Sequence, residues 1–375
     1  MRVLHVITGL HAGGAEQQLA ALLEHTRHDA DVVTMYAPGM IARRLRAGGV
    51  TVHDLDRPHQ LDPRAVTDLI RLIRRGRYDV VHTHLYRACL YGRTAARIAG
   101  VDVIVATEHS LGDTQIEGRP TTAPVRALYL ASERLGDHTI AVSPAARRRL
   151  VAWGVPDRRI SVIPNGVDVA RYGFDPAARR RERTALGIAD GDVVIGTVGR
   201  LHPIKRHDLL ITAAADLVRG GDAHLVIAGR GDLEDDLRAQ VARLGLTGRV
   251  HLVGERGDVP ALLSAFDVYA APSAEETFGL SVIEALCAGL PAVVGACPAI
   301  DDLTLPGVRR CDDADSLRAA LTAFHQRIRR DGPASRGPAA EVVARMDIVR
   351  VADNVDNLYQ DVGIRRAGGK AHATA

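Results

Sequence analysis

Short runs of apolar residues alternate along this chain with longer amphipathic stretches. The runs, among them 3–7, 78–84 and 193–200, have the length and composition of buried strands, and the stretches between them repeat apolar residues at helical spacing. Alternating strands and helices of this kind predict a parallel sheet with helices on both of its faces. Because 375 residues exceed the usual size of one domain, we expect two such doubly wound α/β domains.

A turn predicts the boundary between the two domains. Pro164, Asn165 and Gly166 cannot continue a regular helix or strand, which suits a hinge. The arginine-rich stretch 177–186 that follows is predicted to be a helical linker on the surface. The predicted divisions are a first domain at 1–170, a second at 171–345, a last amphipathic helix at 346–362 and a disordered tail at 363–375.

Composition narrows the class of protein. Apolar residues make up 46% of the chain and charged residues 25%, and no apolar run approaches the ~20 residues of a membrane span. The formal net charge of +3 argues neither for nor against a nucleic acid. The four cysteines lack zinc-binding spacing, and the chain opens on a strand rather than a signal sequence. We therefore expect a cytoplasmic enzyme with free thiols.

The first predicted strand runs into a glycine-rich loop. Its glycines are Gly9, Gly13 and Gly14, and a helix with Glu16 in its first turn follows. A glycine loop between a strand and a helix lets backbone N–H groups approach a phosphate. The spacing is not GxGxxG, which disfavours a nicotinamide cofactor. A merely structural turn is the alternative interpretation.

A second loop lies within 272–291, after another predicted strand. Two carboxylates stand eight positions apart, and an apolar stretch with one glycine lies between them: Glu276, Phe278, Gly279, Leu280 and Glu284. The glycine permits close backbone approach, and the start of the following helix favours an anion. An anion site flanked by two carboxylates suits a sugar nucleotide. A strand-to-helix turn with two solvated glutamates is also consistent with the pattern.

This second loop resembles the signature of the family-4 retaining glycosyltransferases. These enzymes have the GT-B fold, in which two Rossmann-like domains face each other across a cleft. The resemblance implies that Glu276 contacts hydroxyls of the donor sugar, that the backbone of 278–280 holds sugar and phosphate, and that Glu284 binds the ribose hydroxyls. It also implies that the last helix crosses back onto the first domain. Matching motifs occur in the family's order from residue 9 to residue 291.

Further motifs extend the resemblance along the chain. Residues 13–16 resemble the family's GGAE element, which closes on the donor diphosphate, and His109 aligns with the histidine beside the transferred sugar. Arg200 and Lys205 match the two cations that neutralise the leaving diphosphate. The resemblance assigns the base pocket to two strand ends, with the candidate residues Gly229, Arg230, Val253, Gly254 and Arg256.

The sequence departs from the family pattern in two places. Arg206 stands where a glycine is usual, which puts the local loop shape in question. The stretch 293–301 lacks the usual Gly-Gly and Glu, so the rim near the donor is expected to be unusual.

His82 and His84 end a predicted strand with a spacing that could suit a metal ion, but no neighbouring Cys or Glu completes a set of ligands. We expect no metal ion.

The predicted reaction is front-face retaining transfer of a sugar from UDP to a hydroxyl of a small acceptor, without metal or other cofactor. The stretches 82–92 and 108–120 resemble transferases of antibiotic biosynthesis that glycosylate aminocyclitols, and Asp113 and Glu117 would attract a cationic acceptor. The first alternative is a transferase of lipid-linked or capsular polysaccharide assembly, with at most peripheral membrane contact. The others are a UDP-sugar 2-epimerase of the same fold and a catalytically inactive binding protein. No nucleic-acid partner is expected.

Overall fold

The computed structural model describes residues 1–11, 13–59, 62–112, 114–333 and 336–373 of the chain. Two compact units account for the fold: unit 1 comprises Met1–Gly166 and Ile348–Ala375, and unit 2 comprises Val167–Asp347. Unit 2 thus begins at residue 167 rather than at 171. The reason is that the N–H of Val167 already donates to the carbonyl of Met346, at 2.7 Å.

Unit 1 is built on parallel strands. In chain order its strands are β1 (Arg2–Ile7), β2 (Asp29–Thr34), β3 (Val52–Asp54), β4 (Val80–His84), β5 (Val103–Glu108), β6 (Gln115–Ile116), β7 (Arg119–Pro120), β8 (His138–Ala141) and β9 (Ile160–Val162). Seven of them form one parallel sheet in the order β3-β2-β1-β4-β5-β8-β9, and β6 and β7 form a separate antiparallel pair. The order reverses between β1 and β4, and ligands of open parallel sheets bind beyond the carboxyl ends of strands at such a switch point.

Helices follow the strands of unit 1 and cover both faces of the sheet. They are α1 (Gly14–Leu23), α2 (Gly39–Ala47), α3 (Arg64–Gly76), α4 (Tyr86–Ala99), α5 (Ala123–Glu133) and α6 (Pro144–Trp153). In α3, for example, Ala65, Leu69 and Ile73 repeat every four residues and are buried against the sheet. Every residue of β4 and β5 is buried, as expected of parallel strands that are covered on both faces.

Unit 2 repeats this architecture. Its strands are β10 (Val193–Val198), β11 (Ala223–Ala228), β12 (Val250–Gly254), β13 (Val268–Ala271), β14 (Ala292–Val294) and β15 (Val308–Arg310), in the parallel order β12-β11-β10-β13-β14-β15. Its helices are α7 (Pro176–Ala185), α8 (His207–Arg219), α9 (Glu234–Arg243), α10 (Val259–Ala265), α11 (Leu280–Cys287), α12 (Ala314–Asp331) and α13 (Ala340–Met346). The switch point of this sheet lies between β10 and β13. The two doubly wound parallel sheets confirm the predicted α/β architecture.

Helix α7 corrects one expectation. The sequence predicts a surface linker at 177–186, whereas Arg183 is buried, with only 1% of its side chain exposed. Its guanidinium pairs with Asp267, whose carboxylate also binds Arg179 at 2.7 Å. The helix is therefore held to the edge of the unit 2 core by a buried ion pair, in which each charge depends on the other.

The last helix, α14 (Ile348–Ala373), belongs to unit 1. Its apolar face, with Val351, Val355 and Tyr359, packs in a core cluster with residues of β1, β4 and β5. The helix continues past residue 362, so the predicted disordered tail is helical as far as residue 373. Buried Val362 and an ion pair between Arg366 and Asp137, at 2.6 Å, hold the first of these added turns.

Within the described ranges, no helix is both long enough and apolar enough to cross a membrane.

Candidate active site

A glycine shapes the loop that leads into α11. Gly279 caps the helix with a φ of +97°, which L side chains rarely adopt. A methyl group on its Cα would lie 2.5 Å from the Sγ of buried Cys297, so the loop packs closely on this thiol. Phe278 is buried beside it, and Leu280 begins the helix. The three residues thus form a helix N-terminus with unpaired backbone N–H groups, which can bind an anion.

Two of the predicted catalytic residues form an ion pair. The Nζ of Lys205 contacts Oε1 of Glu276, and their side chains are 19% and 18% exposed. Lys205 ends a short 3-10 turn after β10, and Glu276 follows β13, which is the neighbour of β10 at the switch point. Arg200 is exposed directly after β10. The structure therefore brings Lys205 and Glu276 together at the carboxyl edge of the unit 2 sheet, and Arg200 lies two residues after the end of β10.

The residue after Lys205 resolves the question about the loop shape. Arg206 has φ +54° and ψ +40°, the left-handed conformation that glycine adopts without strain. The arginine accepts this conformation at a cost of roughly 1–2 kcal/mol. The turn therefore keeps a backbone shape that a glycine would also give.

Glu284 has a hydrogen-bond partner that the sequence did not reveal. The hydroxyl of Tyr172 donates to its Oε1 at 2.8 Å. Burial raises the pKa of Glu284 to about 7, and the Tyr172 hydroxyl and the nearby charge of Arg171 oppose that shift. Tyr172 lies in a 3-10 turn, 112 positions earlier in the chain, and no local pattern links it to α11. One carboxylate oxygen is thus held in place by a phenol.

The proposed base-pocket residues lie at the ends of β11 and β12. The N–H of Gly229 donates to the carbonyl of Gly254 at 2.8 Å, which joins the two strand ends. Gly229 lies so close to the carbonyl of Gly199 that no side chain would fit. Arg256 is bound to Asp258 at 2.6 Å and to Glu182 at 2.8 Å. The remaining candidates at these ends are Arg230, which is exposed, and Val253, which is partly buried.

In unit 1, the glycine loop leads directly into α1. Gly13 is the N-cap residue and Gly14 the first helical residue. The carboxylate of Glu16 folds back over the Cα of Gly13. A carboxylate at this position interacts favourably with the N-terminal end of the helix dipole. A phosphate at this helix start would therefore have to displace Glu16.

His109 is partly buried and contacts a cluster of buried histidines at the switch point of unit 1. Nδ1 of His84 lies 3.1 Å from Nε2 of His109, and Nε2 of His84 lies 3.0 Å from Nδ1 of His5. His82 bonds Tyr359 Oη at 2.6 Å and Thr107 Oγ1 at 2.7 Å through its two ring nitrogens. The sequence pattern indicated His82, His84 and His109, but nothing in it pointed to His5, Tyr359 or Thr107 as their partners.

Burial keeps these rings uncharged. It lowers the pKa of His5 to about 3 and that of His109 to about 4, and it lowers those of His82 and His84 well below the usual range. Ligand nitrogens of His5, His82 and His84 lie within 4.8 Å of one another, so their spacing alone would suit a metal ion. Both nitrogens of His82 and both of His84 already take part in hydrogen bonds. The contacts are therefore those of a hydrogen-bonded cluster.

The negative charge that was predicted to attract a cationic acceptor is partly neutralised. Glu117 forms an ion pair with Arg119 at 2.8 Å, which offsets the negative charge on which the expectation depended. Asp113, the other acidic residue of that prediction, lies outside the described residues.

Comparisons with known proteins identify the family of the chain. The model of Glycosyltransferase Family 4 matches residues 12–171, and that of Glycosyl transferases group 1 matches residues 178–322. D-inositol 3-phosphate glycosyltransferase of Nocardia farcinica is 31% identical, with coverage of 79% of this chain and 71% of the relative. The Escherichia coli enzyme UDP-Gal:alpha-D-GlcNAc-diphosphoundecaprenol alpha-1,3-galactosyltransferase is 29% identical, with 81% of each chain covered.

A solved structure shares the fold. HepE of Anabaena, crystallised in complex with UDP, matches with a TM-score of 0.83 at 23% identity, covering 96% of this chain and 100% of HepE. The matched models, together with the Nocardia relative, show which family this is. The chain belongs to the family-4 glycosyltransferases and has the GT-B fold.

Proposed function

We propose that this glycosyltransferase transfers a hexose or N-acetylhexosamine from a UDP-sugar, with retention of configuration, to a hydroxyl of a small cyclitol or aminocyclitol. The observation that carries the proposal is the Lys205–Glu276 pair at the switch point of unit 2. It places a cation for a diphosphate next to a carboxylate that can accept hydrogen bonds from sugar hydroxyls. Two comparisons support it: HepE was crystallised with UDP and with UDP-glucose, and the Nocardia relative is named for D-inositol 3-phosphate.

Charge development explains the proposed roles in unit 2. As the bond from the anomeric carbon to the diphosphate breaks, negative charge grows on the leaving phosphate, and Arg200 and Lys205 would stabilise it. In front-face transfer the acceptor oxygen attacks the anomeric carbon from the side on which the diphosphate leaves. The leaving phosphate oxygen takes the proton of the acceptor hydroxyl, so the products are the glycoside and UDP. The α11 N-terminus would bind phosphate oxygens, and Glu284 the ribose.

Unit 1 would serve the sugar and the acceptor. His109 would hydrogen-bond a hydroxyl of the transferred sugar, and a neutral imidazole suits this because it can donate or accept without bringing a charge. The glycine loop at 13–14 would approach the diphosphate through backbone N–H groups once Glu16 has moved aside.

We further propose that catalysis needs no metal ion, because Arg200 and Lys205 supply positive charge that a bound cation would otherwise provide. The purified enzyme should keep its full rate in excess EDTA. A rate that falls in EDTA and returns with Mg²⁺ or Mn²⁺ would contradict this part of the proposal.

A lipid-linked acceptor is the second candidate. The Escherichia coli relative is named for a diphosphoundecaprenol substrate, and the pairing of Glu117 with Arg119 weakens the case for a cationic acceptor. Cosedimentation with anionic phospholipid vesicles separates the two candidates. An enzyme for small cyclitols should remain in the supernatant, whereas an enzyme for lipid-linked sugars should pellet.

The first experiment is a thermal-shift panel of UDP, GDP, ADP, dTDP and NAD on the purified protein. A ligand at 100 times its Kd stabilises the folded state by about 2.7 kcal/mol. We expect UDP to give the largest shift, which would justify assays of UDP-sugars with inositols, aminocyclitols and polyprenyl diphosphate sugars. Conversion of UDP-N-acetylglucosamine without any acceptor would instead identify an epimerase. A shift with NAD alone would contradict the donor assignment.

Two substitutions test the site itself. Lys205→Ala and Glu276→Ala should each lower kcat by ~10²-fold if these groups stabilise the transition state. Lys370 is the other lysine of the chain, so Lys370→Ala is the matched control and should leave the rate unchanged. Near-wild-type rates in both site variants would remove the assignment.

A further inference from the structure

Three imidazole rings in unit 1 form a hydrogen-bonded row that ends at His109. Nδ1 of His5 meets Nε2 of His84 at 3.0 Å, and Nδ1 of His84 meets Nε2 of His109 at 3.1 Å. The rings are nearly parallel along the row, with interplanar angles of 26° and 28°. The row is therefore continuous, and its middle ring uses both nitrogens.

Strand register creates this row. On β1, Ile7 lies opposite His84 of β4, so His5 lies two positions earlier along the neighbouring strand. His84 in turn lies opposite Thr107 of β5, and His109 follows that strand by one residue. Three adjacent strands at the switch point thus each supply one ring. The row needs β1, β4 and β5 to be neighbours, which only the folded sheet provides.

The number of protons on the rings limits the row to two hydrogen-bonding arrangements. Each neutral imidazole carries one N–H, so it can donate through one nitrogen and must accept through the other. If His5 donates to His84, then His84 donates to His109, whose own proton remains on Nδ1. In the opposite order, His109 donates from Nε2 and its Nδ1 is a bare acceptor. In both orders His84 is hydrogen-bonded to Nε2 of His109. The direction of that bond decides whether Nδ1 of His109 is a donor or an acceptor.

The free end of the row faces a cavity. Nδ1 of His109 is buried and makes no hydrogen bond of normal geometry within the described part of the chain. The cavity beside it is lined by Gln18, Pro164 and Asn165, among others. The amide of Gln18 is held by two bonds to Gly166: its NH2 group donates to the carbonyl and its oxygen accepts from the N–H, both at 2.7 Å. The side chain of Asn165 interacts with the ring of His109 as a weak hydrogen-bond partner, so Nδ1 of His109 and the amide of Asn165 form a polar pair beside the cavity that a ligand hydroxyl would meet.

We propose that His84, backed by His5, is a positioning residue for sugar transfer: it binds Nε2 of His109 and thereby fixes which tautomer of His109 presents Nδ1 to the substrate hydroxyl. The proposal rests on the proposed function, in which His109 contacts the transferred sugar. The hydrogen bond on one ring nitrogen selects the tautomer on the other, and a neutral ring held in one tautomer and one orientation is a better-defined partner than a free one.

His82 provides a matched control inside the same cluster. It is as buried as His84, and the two ring centroids are 4.1 Å apart. Its nitrogens bond the hydroxyls of Tyr359 and Thr107 instead of joining the row. Replacing His82 therefore disturbs the packing of the cluster without removing the partner of His109.

The direct test is nitrogen NMR of the histidine rings in the whole protein. We expect His84 and His109 each to show one protonated and one bare ring nitrogen at pH 7, in a single tautomer, with coupling across the bond between His84 Nδ1 and His109 Nε2. A doubly protonated ring, or a rapid exchange of tautomers in His109, would overturn the proposal. So would one zinc ion per chain in the purified protein, because a ligated nitrogen cannot also form the hydrogen bond.

A double-mutant cycle tests the link to catalysis. His84→Phe should lower kcat about tenfold, and in the His109→Ala background the same change should cost less than twofold, because its effect acts through His109. His82→Phe should have the same effect in both backgrounds. If the losses in kcat from His84→Phe and His109→Ala are additive in the double variant, His84 has only a structural role.

The outcomes separate this proposal from the one on which it rests. A wild-type protein that turns over no UDP-sugar would refute the proposed function, whereas the NMR experiment would still decide whether the row exists. Turnover with additive costs in the cycle would keep the function and reject the role of His84. If His84→Phe does not fold, the ring-nitrogen spectra of the wild type decide the matter.

Discussion

Lowering the pH from 8 to 5.5 should destabilise unit 1, because its buried histidines stay unprotonated while the unit is folded. Burial lowers the pKa of His5 to about 3 and those of His109 and His138 to about 4, and it lowers the pKa values of His82 and His84 well below the usual range. A histidine in an unfolded chain titrates near 6.5. At pH 5.5 the unfolded chain therefore binds protons that the folded unit does not, and stability falls as the pH falls.

The magnitude follows from these pKa values. Each of the five histidines should cost roughly 1–2 kcal/mol of unfolding free energy between pH 8 and pH 5.5, or about 7 kcal/mol together. Glu108 acts in the opposite direction: burial raises its pKa to about 7, so the folded unit takes up a proton below that pH and regains about 2 kcal/mol. The net loss of about 5 kcal/mol equals the whole stability of a marginal domain.

The single tryptophan makes unit 1 observable by itself. Trp153 lies at the end of α6 and packs edge-on against Tyr129, with ring centroids 5.5 Å apart. Urea unfolding followed by its fluorescence should show a midpoint that falls steeply between pH 7 and pH 5.5. His138→Asn should flatten this dependence, whereas replacing the exposed His59 should not. A midpoint that stays constant over this range would show that the rings accept protons while the unit is folded, which would contradict the prediction.

Three further predictions concern unit 2. Tyr172→Phe removes a hydrogen bond that lowers the pKa of Glu284, so UDP affinity should fall several-fold at pH 7 and recover at pH 9 in calorimetric titrations. Gly279→Ala combines left-handed strain with overlap on Cys297, so urea unfolding should show a loss of about 2–4 kcal/mol, and the KM for the donor should rise. Asp267→Ala leaves buried arginine without its anion, and the same measurement should show a loss of about 3–5 kcal/mol.

Each of these predictions has a control that isolates its cause. With 2′,3′-dideoxy-UDP, Tyr172→Phe should make no difference; an equal loss with both ligands would mean that the tyrosine supports only the fold. Gly245 has a φ of +68° with open space around its Cα, so Gly245→Ala measures the backbone strain alone. The pair of exposed Asp216 with Arg219 should be worth less than 1 kcal/mol, and a loss from Asp216→Ala as large as that from Asp267→Ala would contradict the role of burial.

The elements of both sheets could be predicted because their signals are local. A run such as 193–198 is apolar except for one threonine, and five of the six residues of the parallel strand β10 that it forms are buried. The same holds for Gly279, where a single glycine before an apolar helix marks the left-handed turn that the structure contains. In these stretches, composition within a dozen residues decides the conformation.

The arginine in α7 shows why other features could not be predicted. Arg179, Arg180, Arg181 and Arg183 stand close together in the sequence, and nothing in that run distinguishes the buried one. Arg183 is buried only because Asp267, 84 positions away, faces it from the start of β13. The helical conformation beyond residue 362 in α14 could not be predicted for a similar reason, because Arg366 forms an ion pair with Asp137, which is distant in the sequence.

The difference between local and distant signals also explains why the candidate residues of unit 2 lie in recognisable motifs, whereas the partners of His109 do not. A diphosphate is bound by backbone N–H groups and a few cations, and one loop with the start of one helix can provide both. The unit 2 candidates accordingly lie in short motifs, and Lys205 meets Glu276 because the two loops follow neighbouring strands. In unit 1, by contrast, His109 depends on a ring from each of two other strands, one of them more than a hundred positions earlier. No motif in the sequence links His5 to His109, so the hydrogen-bonded surroundings of His109 become visible only in the folded unit.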